Sequence, residues 1–352
     1  MSRFWNERLS FLSPYIPGEQ PKNEQIIKLN TNENPYGPSP KVLQAVQTAV
    51  NDTLRLYPDP LAVELRQAIA RRNKLTVEQV FVGNGSDEVL ALSFMAFFSS
   101  KRKICFPNIT YSFYQVYANL FGIPYTCPKL SPDFQICLED YMQVPGGVLI
   151  ANPNAPTGIL LSCVEIEQLL QQNPDCVVIV DEAYIDFGGD SAVSLIPNYE
   201  NLLVVQTFSK SRALAGLRIG FAMGHPALIQ GLEIVKNSFN SYPLDRLALV
   251  AGKASIKDEL YFQSVVQKII QTREWTVQQM VQLGFTVLPS QANFIFVTHP
   301  KKEAKTLFLA LREQNIFVRY FAQELLSDYL RITIGTQKEM EALIATLKTW
   351  MV

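Results

Sequence analysis

The feature that most constrains the fold is the regular alternation of short apolar runs with helical patterns between about Leu43 and Met223. Three of these runs, residues 147–150, 176–180 and 202–205, are apolar almost throughout. Such runs are typical of parallel strands that are buried on both faces, because the helices that connect them cover the sheet. The sequence therefore predicts an α/β fold whose large domain has a mostly parallel sheet covered by helices.

The pattern changes after His225, where helical periodicity continues to Val281 and is followed by short strands, one helix and a closing helix. This order predicts a smaller α+β domain at the carboxyl end. The first thirty residues are rich in proline and polar side chains, and we expect them to form an arm on the small domain. The predicted boundaries are 1–30 for the arm, 31–235 for the large domain and 236–352 for the small domain.

Lys210 follows the apolar run of residues 202–205 directly, in the segment Thr-Phe-Ser-Lys-Ser. Burial lowers the pKa of a lysine, and the free amine can form a Schiff base with a carbonyl group or with pyridoxal phosphate. Ser209 and Arg218 supply donors suited to a phosphate dianion. The three residues together indicate a pyridoxal phosphate site. Taken alone, the segment also fits a Ser-Lys pair on the surface after a core strand.

Asp181 ends the buried run of residues 176–180 and is expected at the carboxyl edge of the sheet, where α/β proteins bind ligands. Asp181 and Lys210 would then face one crevice from two strands. An acid at this place can pair with the pyridinium nitrogen of the cofactor, and Tyr184 could hydrogen-bond the ring oxygen. An alternative for Asp181 alone is a helix N-cap.

The segment that includes Gly85, Ser86 and Asp87 lies between a short apolar strand and a helical pattern. Glycine allows close approach of the backbone, and free amides at a helix start attract anions, so we expect the cofactor phosphate here. Alternatively, the segment is an ordinary helix start that does not bind an anion, with Ser86 or Asp87 as the N-cap. The turn-forming loop of residues 151–158 offers Asn154 as a ring contact, and Tyr111 could stack on the ring or be a core aromatic.

The chain resembles the class I/II aminotransferases of fold type I, which use pyridoxal 5'-phosphate, and within them the branch that acts on histidinol phosphate. The runs that carry the resemblance are residues 29–37, 57–59, 85–88, 156–158, 181–184, 209–210, 215–218, 242–244 and 330–335. Threonine-phosphate decarboxylases and some aromatic aminotransferases share nearly all of them. A decarboxylase reaction and an aromatic substrate therefore stay open as alternatives.

The resemblance implies roles for the residues that match. Lys210 would be the Schiff-base lysine and the proton carrier, Asp181 would pair with the pyridinium and Tyr184 would bond the ring oxygen. Ser209, Arg218 and the amides around Ser86 would hold the phosphate.

For the substrate, the resemblance implies that Arg331 and Arg319 bind acidic groups and that Tyr15 and Asn32 lie where the arm closes over the site. Tyr57 would reach the site of a neighbouring subunit, which implies a homodimer with shared active sites. The expected reaction is transfer of the amino group of histidinol phosphate to 2-oxoglutarate, giving imidazole acetol phosphate and glutamate with ping-pong kinetics.

One position departs from the pattern of the wider superfamily. Where an asparagine usually precedes the proline of Asn-Pro-Thr-Gly and donates to the ring oxygen, this chain has Ala155. We expect Asn154 or Tyr184 to take over that contact.

The composition argues against several other classes of protein, namely those that bind nucleic acids, membranes or metals and those that are secreted. A net charge of −1 gives no electrostatic case for nucleic acid or for an acidic membrane. Five cysteines without paired metal spacing indicate reduced thiols in a cytoplasmic protein, and two histidines make a metal site unexpected. The first residues include charged side chains and no long apolar run, so neither a signal peptide nor a membrane span is predicted.

Overall fold

The computed structural model describes residues 2–6, 9, 12–14, 18–21 and 26–351. Its strands are β1 (Ile27–Lys28), β2 (Val80–Asn84), β3 (Ile104–Cys105), β4 (Tyr125–Thr126), β5 (Gly147–Ala151), β6 (Val178–Asp181), β7 (Leu202–Thr207), β8 (Ile219–Gly224), β9 (Thr286–Val287), β10 (Phe294–Thr298), β11 (Ile316–Phe317), β12 (Arg319–Tyr320) and β13 (Leu330–Thr333). Its helices are α1 (Pro40–Ala49), α2 (Val63–Arg72), α3 (Gly85–Phe97), α4 (Phe113–Phe121), α5 (Cys163–Gln172), α6 (Pro226–Phe239), α7 (Arg246–Lys257), α8 (Glu259–Gln282), α9 (Ala304–Glu313) and α10 (Gln337–Met351).

Seven strands form the large sheet, in the spatial order β2-β8-β7-β6-β5-β3-β4. β8 runs antiparallel to both of its neighbours, and the pairs from β7 to β4 are parallel. The sheet therefore confirms the prediction of a mostly parallel α/β fold. Because β5, β6 and β7 are parallel, their carboxyl ends meet at one edge.

The two faces of the large sheet are buried against different layers of helices. In β6, Val178 and Val180 pack into one apolar cluster, whereas Ile179 packs into another on the opposite face. Alternate side chains of a strand point to opposite faces, so an apolar run of this length needs cover on both sides. This explains why the run of residues 176–180 carries no polar side chain before Asp181.

Local signals fix where several helices begin. In α5, Ser162 and Glu165 form a reciprocal capping box, and α1 begins with Ser39 as cap and Pro40 in the first turn. Asp245 caps α7 by accepting a hydrogen bond from the Ala248 amide. Such caps satisfy amides that have no partner within the helix.

The small domain is built on an antiparallel sheet of four strands in the order β12-β13-β10-β9, covered by α8, α9 and α10. β1 pairs in parallel with β11, and the following Leu29 is buried in the same apolar cluster. Nearer the amino terminus, Glu19 forms an ion pair with Arg312 on α9, with 2.7 Å between Oε1 and Nη2. Glu19, β1 and Leu29 thus contact the small domain.

The packing changes from one domain to the other later than the predicted boundary at residue 236. Ala248, Ala251 and Ile256 of α7 belong to the apolar cluster of the large domain. Phe262 of α8 is the first helical residue after them in the small-domain cluster. The side chains of α7, before Asp258, therefore pack with the large domain, and those of α8, after it, pack with the small domain. No helix within the described residues is both long enough and apolar enough to cross a membrane.

Candidate active site

A cleft opens at the carboxyl edge formed by β5, β6 and β7, and it encloses about 590 Å³ of space, including its open mouth. It also borders the first turn of α3. The cleft brings together most of the residues that the sequence singles out. Its lining consists of Ser86, Asp87, Tyr111, Ala151, Pro153, Ala155, Asp181, Ala183, Tyr184, Thr207, Ser209, Lys210 and Arg218.

Asp181 is the last residue of β6, and its side chain is 5% exposed. Its Oδ2 accepts a hydrogen bond from the Tyr114 hydroxyl at 2.9 Å, and its Oδ1 meets the Ala183 amide at 3.3 Å. Burial raises the pKa of Asp181 to about 6, although both hydrogen bonds favour the ionised form. A cationic donor in the cleft would therefore find a carboxylate that is little solvated.

Lys210 projects from the loop that follows β7, and its Nζ donates to the Thr31 carbonyl at 3.0 Å. The same Nζ lies 5.8 Å from the centre of the Tyr184 ring. Asn34 Nδ2 donates to the carbonyls of Lys210 and Ser211, at 3.0 and 3.1 Å. The loop is therefore held from the segment that follows β1, which orients the amine into the cleft.

Tyr184 lies beside Lys210 and is fixed at both ends. Its hydroxyl accepts a hydrogen bond from Asn32 Nδ2 at 3.0 Å, and its ring packs edge-on against Phe294 at 5.0 Å. Asn32 is in turn held by Thr333, whose hydroxyl donates to Asn32 Oδ1 at 2.9 Å. Asn32 therefore contacts Tyr184, which lines the cleft, and its role near the substrate stays a prediction.

The other end of the cleft has the chemistry of a phosphate site. Arg218 Nη1 lies 3.4 Å from Ser209 Oγ, and Ser86 stands in the first turn of α3, whose free amides attract anions. Glycines permit the close approach: a Cβ on Gly85 would lie 2.4 Å from Arg218 Nη2, and one on Gly220 would lie 2.2 Å from the Ser86 nitrogen. Gly85 also has a φ of +79°, which favours glycine.

Asp87 supports this end of the cleft through its neighbours. Its Oδ2 accepts from Arg218 Nη2 at 2.9 Å, and its Oδ1 accepts from the Tyr111 hydroxyl at 2.6 Å. Both carboxylate oxygens are therefore engaged by protein donors, and a carboxylate would repel a phosphate dianion. The Asp87 carboxylate therefore orients Arg218 and Tyr111, while the Asp87 backbone amide belongs to the first turn of α3. Burial raises the pKa of Tyr111 well above its usual value, which keeps the hydroxyl a donor.

The cleft fits the cofactor that the sequence predicts. An amine, a buried carboxylate and a cradle of hydroxyl, guanidinium and helix amides lie around one space. Because Gly85 and Gly220 have no Cβ, the Arg218 guanidinium and β8 can approach the first turn of α3 closely, which suits the binding of a phosphate group. The residues that could hold pyridoxal phosphate are therefore Lys210, Asp181, Tyr184, Ser86, Ser209, Arg218 and Tyr111.

The prediction for Asn154 is not supported by its position. Its Nδ2 donates to the Ile109 carbonyl at 3.0 Å and to the Thr157 hydroxyl at 3.2 Å, and it does not line the cleft. Ala155 lines the cleft instead. The Asn154 Nδ2 group therefore holds its own loop, whereas Tyr184 lines the cleft.

Arg331 and Arg319 form a pair on the small domain. They are directly opposite each other on β13 and β12, so both side chains leave the same face of the sheet. Each guanidinium lies over the Phe321 ring, at 5.7 and 5.4 Å. Two like charges on opposite residues destabilise a sheet unless an anion lies between them.

Arg331 is connected to the cleft through the segment that follows β1. Its Nη2 donates to the Asn30 carbonyl at 2.8 Å, one residue before Thr31, whose carbonyl binds Lys210. Arg319 lies beside the same segment, because a Cβ on Gly18 would approach both Thr31 and the Arg319 guanidinium. The segment of Asn30 and Thr31 thus contacts both the arginine pair and Lys210, and neither arginine lines the cleft.

The remaining two predicted residues are Tyr15 and Tyr57. Tyr15 is outside the described residues. Tyr57 is 78% exposed and stacks on Tyr242, with 4.7 Å between the ring centres, so it does not line the cleft of its own chain.

The sequence reasoning missed Tyr114, Asn34 and Thr31. Tyr114 follows Tyr111 by three residues at the point where a helical pattern begins, and that spacing could have indicated that the two side chains lie close together. Asn34 and Thr31 lie in the run of residues 29–37 that carries the resemblance, but no local pattern indicates that they contact Lys210.

Comparison with known proteins shows the family to which the chain belongs. The family described as aminotransferase class I and II matches residues 24–347. A histidinol-phosphate aminotransferase of Acinetobacter baumannii (strain SDF) is 57% identical over 98% of this chain and 97% of its own length. One from Clostridium botulinum (strain Langeland) is 55% identical over 99% and 98%.

The fold is also shared with solved structures. The histidinol-phosphate aminotransferase of Sinorhizobium meliloti, crystallised with pyridoxal-5'-phosphate, superposes with a TM-score of 0.89 at 24% identity and covers 99% of both chains. That likeness confirms the predicted fold. With a family match over most of its length and relatives above half identity, this chain belongs to the class I and II aminotransferases.

Proposed function

We propose that this protein transfers the amino group of L-histidinol phosphate to 2-oxoglutarate, giving imidazole acetol phosphate and glutamate, a step of histidine biosynthesis. The observation that carries the transamination chemistry is the single cleft shared by Lys210, Asp181 and the phosphate cradle. The choice of substrate is supported by relatives of 55 to 57% identity that bear the name histidinol-phosphate aminotransferase.

In this proposal the chain holds pyridoxal phosphate at both ends of the cleft. Ser209, Arg218 and the amides around Ser86 bind the phosphate, and Asp181 accepts a hydrogen bond from the ring nitrogen. Tyr184 bonds the ring oxygen, and Tyr111 covers the ring. When bound, the cofactor supplies an electron-withdrawing ring that stabilises the charge left on the substrate carbon.

Lys210 is the base of the reaction. Its Nζ takes the proton from the substrate carbon that carries the amino group. The Thr31 carbonyl, at 3.0 Å, and the Asn34 amide that grips the loop keep the amine directed into the cleft. Tyr184 lies beside the same Nζ and limits the directions in which it can swing.

Arg331 and Arg319 bind the acidic group of the substrate. Histidinol phosphate carries a phosphate, and glutamate carries a carboxylate, on the group attached to the reacting carbon. A guanidinium can bind either anion through two parallel hydrogen bonds. One site that serves both substrates in turn requires ping-pong kinetics.

The first test is a single-turnover experiment on the purified protein loaded with pyridoxal phosphate. Mixing with histidinol phosphate should convert the absorbance of the bound cofactor to that of pyridoxamine phosphate, under conditions where phenylalanine and threonine phosphate do little. Conversion with phenylalanine but not with histidinol phosphate would show that the substrate is an aromatic amino acid. Release of carbon dioxide from threonine phosphate would show that the reaction is a decarboxylation. Either result would overturn the proposal for histidinol phosphate.

Lys210→Ala should abolish both the absorbance of covalently attached cofactor and the transamination. Pyridoxal phosphate should still bind through the phosphate cradle, which equilibrium dialysis would measure. Lys253→Ala, which changes a surface lysine paired with Glu64, is the matched control and should keep both properties. Full activity of the Lys210 variant would contradict its role as the base.

We infer further that the protein acts as a homodimer. Supporting this, large apolar side chains are exposed around the stacked pair of Tyr57 and Tyr242; they are Val50, Leu54, Leu56, Leu61 and Phe239. Arg246 donates to the carbonyls of Leu56 and Tyr57 and fixes this surface. Exposed apolar surface of this extent favours association with another protein surface.

Light scattering should give twice the mass of the chain. A mixture of Lys210→Ala and Tyr57→Ala subunits tests whether sites are shared, because only a mixed dimer would combine an intact lysine with the partner's intact tyrosine. Recovery of activity on mixing would support shared active sites. If both variants are inactive alone and the mixture is inactive as well, the sites are not shared.

We also infer a cytoplasmic location. All five cysteines are free thiols in the structure, and oxidising compartments favour disulfides. Fractionation of the native cells would test this inference.

A further inference from the structure

Tyr114 is a fully buried tyrosine whose hydroxyl is directed at Asp181, which lines the cleft. It lies in the first turn of α4, and its hydroxyl donates to Asp181 Oδ2 at 2.9 Å. Its ring packs edge-on against Phe106 and Tyr111, with centres 5.9 and 5.7 Å away. A buried hydroxyl is costly unless it is hydrogen-bonded, so this contact fixes where both partners lie.

Tyr111, just before α4, and Tyr114, in its first turn, thus each contact a carboxylate that lines the cleft. Tyr111 donates to Asp87, which holds Arg218 at the phosphate end. Tyr114, three residues later, donates to Asp181 at the opposite end. The two hydroxyls engage the two carboxylates that border the same space.

We propose that Tyr114 is a positioning residue whose hydroxyl fixes Oδ2 of Asp181 and leaves Oδ1 as the acceptor for a donor bound in the cleft. The inference rests on the proposed function, since that donor is the ring nitrogen of the cofactor. Oδ1 meets the Ala183 amide at 3.3 Å, a longer contact than that of Oδ2 with Tyr114. Without the Tyr114 hydroxyl, the Asp181 carboxylate could rotate, and neither of its oxygens would stay in position to accept a hydrogen bond from that donor.

The charge of Asp181 depends on the same hydrogen bond. Burial raises the pKa of Asp181, the bonds from Tyr114 and Ala183 lower it, and the charge of Asp87 raises it. Removing the hydroxyl should therefore raise the pKa further and protonate more of the carboxyl at neutral pH. The titratable groups that face Asp181 or line its cleft are Tyr111, Tyr114 and Tyr117 near α4, Asp87 on α3, Tyr184 on its own loop, and Lys210 and Arg218 beyond β7.

The test is Tyr114→Phe, which keeps the buried ring and removes only the hydroxyl. In the cofactor-free protein labelled with carboxyl-¹³C aspartate, with Asp181→Asn to assign the signal, the titration midpoint of Asp181 should rise by about one pH unit or more. The affinity for pyridoxal phosphate at pH 7 should fall with it. Tyr117→Phe is the matched control, because that hydroxyl on the same helix donates to the Asp87 carbonyl instead. The control should leave the midpoint of Asp181 in place.

An unchanged midpoint in Tyr114→Phe would overturn the inference, even if cofactor binding fell, since Tyr114 would then act only by packing. If that variant fails to fold, the ring carbon of Tyr114 that bears the hydroxyl can be followed in the otherwise native chain. Its ¹³C signal should shift at the midpoint of Asp181 and become flat in Asp181→Asn; a signal that ignores Asp181 would refute the coupling. Because the titration needs neither cofactor nor substrate, a protein that shows the coupling but binds no pyridoxal phosphate would refute the proposed function instead.

Discussion

At the scale of single residues, the site depends on carboxyl groups buried at the end of β6. Asp181 is held by two donors, and its neighbour Glu182 is held by three, from Ser191, Ala192 and Gln206. Burial raises the pKa of Glu182 to about 7. The chain keeps two poorly solvated acids side by side, and only Asp181 faces the cleft. Glu182 links the segment that follows Gly189 to Gln206 of β7. It thereby supports the carboxyl end of β6.

Asp181 should make the cofactor-free protein less stable as the pH rises. Its pKa is raised by burial from 3.8 to about 6, so the folded chain binds this proton more tightly than the unfolded chain does. That contribution is complete below pH 3.8 and is lost as the pH rises through about 6. Relative to Asp181→Asn, which does not titrate, the wild type should lose up to about 3 kcal/mol across this interval.

Urea unfolding of both cofactor-free proteins between pH 4 and 7.5 would measure this difference. Asp175→Asn, which changes an exposed aspartate, controls for the loss of one charge. Parallel curves for the wild type and Asp181→Asn at all pH values would contradict the prediction.

At the scale of elements, the phosphate cradle depends on how closely β8 approaches the start of α3. A Cβ on Gly220 would lie 2.2 Å from both the Gly85 carbonyl carbon and the Ser86 nitrogen, so backbone would have to move. Gly220→Ala should therefore lower stability by about 1–3 kcal/mol or more and weaken binding of pyridoxal phosphate. Denaturant unfolding and cofactor titration would measure the two effects.

Gly216→Ala is the matched control for this change. Gly216 lies four residues earlier, next to the same arginine loop, and a Cβ there would meet nothing within 4 Å. If the two alanine variants bind the cofactor equally well, close approach of β8 and α3 is not what forms the cradle.

The pairing of β12 with β13 makes a second prediction at this scale. Because the strands place Arg331 and Arg319 opposite each other, one anion can satisfy both. Arg331→Ala should reduce kcat/KM by at least about 30-fold for histidinol phosphate and for 2-oxoglutarate alike. Steady-state kinetics with each substrate varied would test this, with Lys305→Ala as an exposed control in the same domain. A variant that loses only one substrate would contradict a shared anion site.

At the scale of the whole molecule, the loop of Lys210 is tied to the small domain. Arg212 is buried, its Nη1 donates to the Ser255 carbonyl at 2.9 Å, and its guanidinium lies 4.0 Å from the centre of the Phe262 ring on α8. Arg72 of α2 lies over the same ring at 5.2 Å, and both arginines approach Glu259. Movement of α8 would therefore be transmitted to the loop that carries the lysine.

A double-mutant cycle would measure this coupling. Arg212→Met and Phe262→Leu should each destabilise the protein, and together they should destabilise it by less than the sum, with a coupling energy of about 0.5–2 kcal/mol. Lys253→Met combined with Phe262→Leu is the control pair and should be additive, because Lys253 pairs with Glu64 on the surface. Additivity of the first pair would show that the stacking carries no energy.

Much of this molecule could be predicted from the sequence because burial and periodicity are local properties. The apolar run that ends at Asp181 predicts a strand covered on both faces, and the same run explains why Asp181 lies at the carboxyl edge with Lys210. The glycine before Ser86 likewise predicts where α3 begins, and the free amides of that first turn are the kind that attract anions.

The tertiary structure alone decided how the buried polar groups are paired. Asn154 turns to Ile109, Asp87 is shared by Arg218 and Tyr111, and Tyr114 reaches Asp181 across 67 positions of sequence. A sequence pattern shows that such a group is buried, but its partner comes from another element. The sequence by itself therefore determined the fold and the chemistry of the cleft, whereas the orientation of each group depended on contacts that exist only once the sheet and its helices have packed.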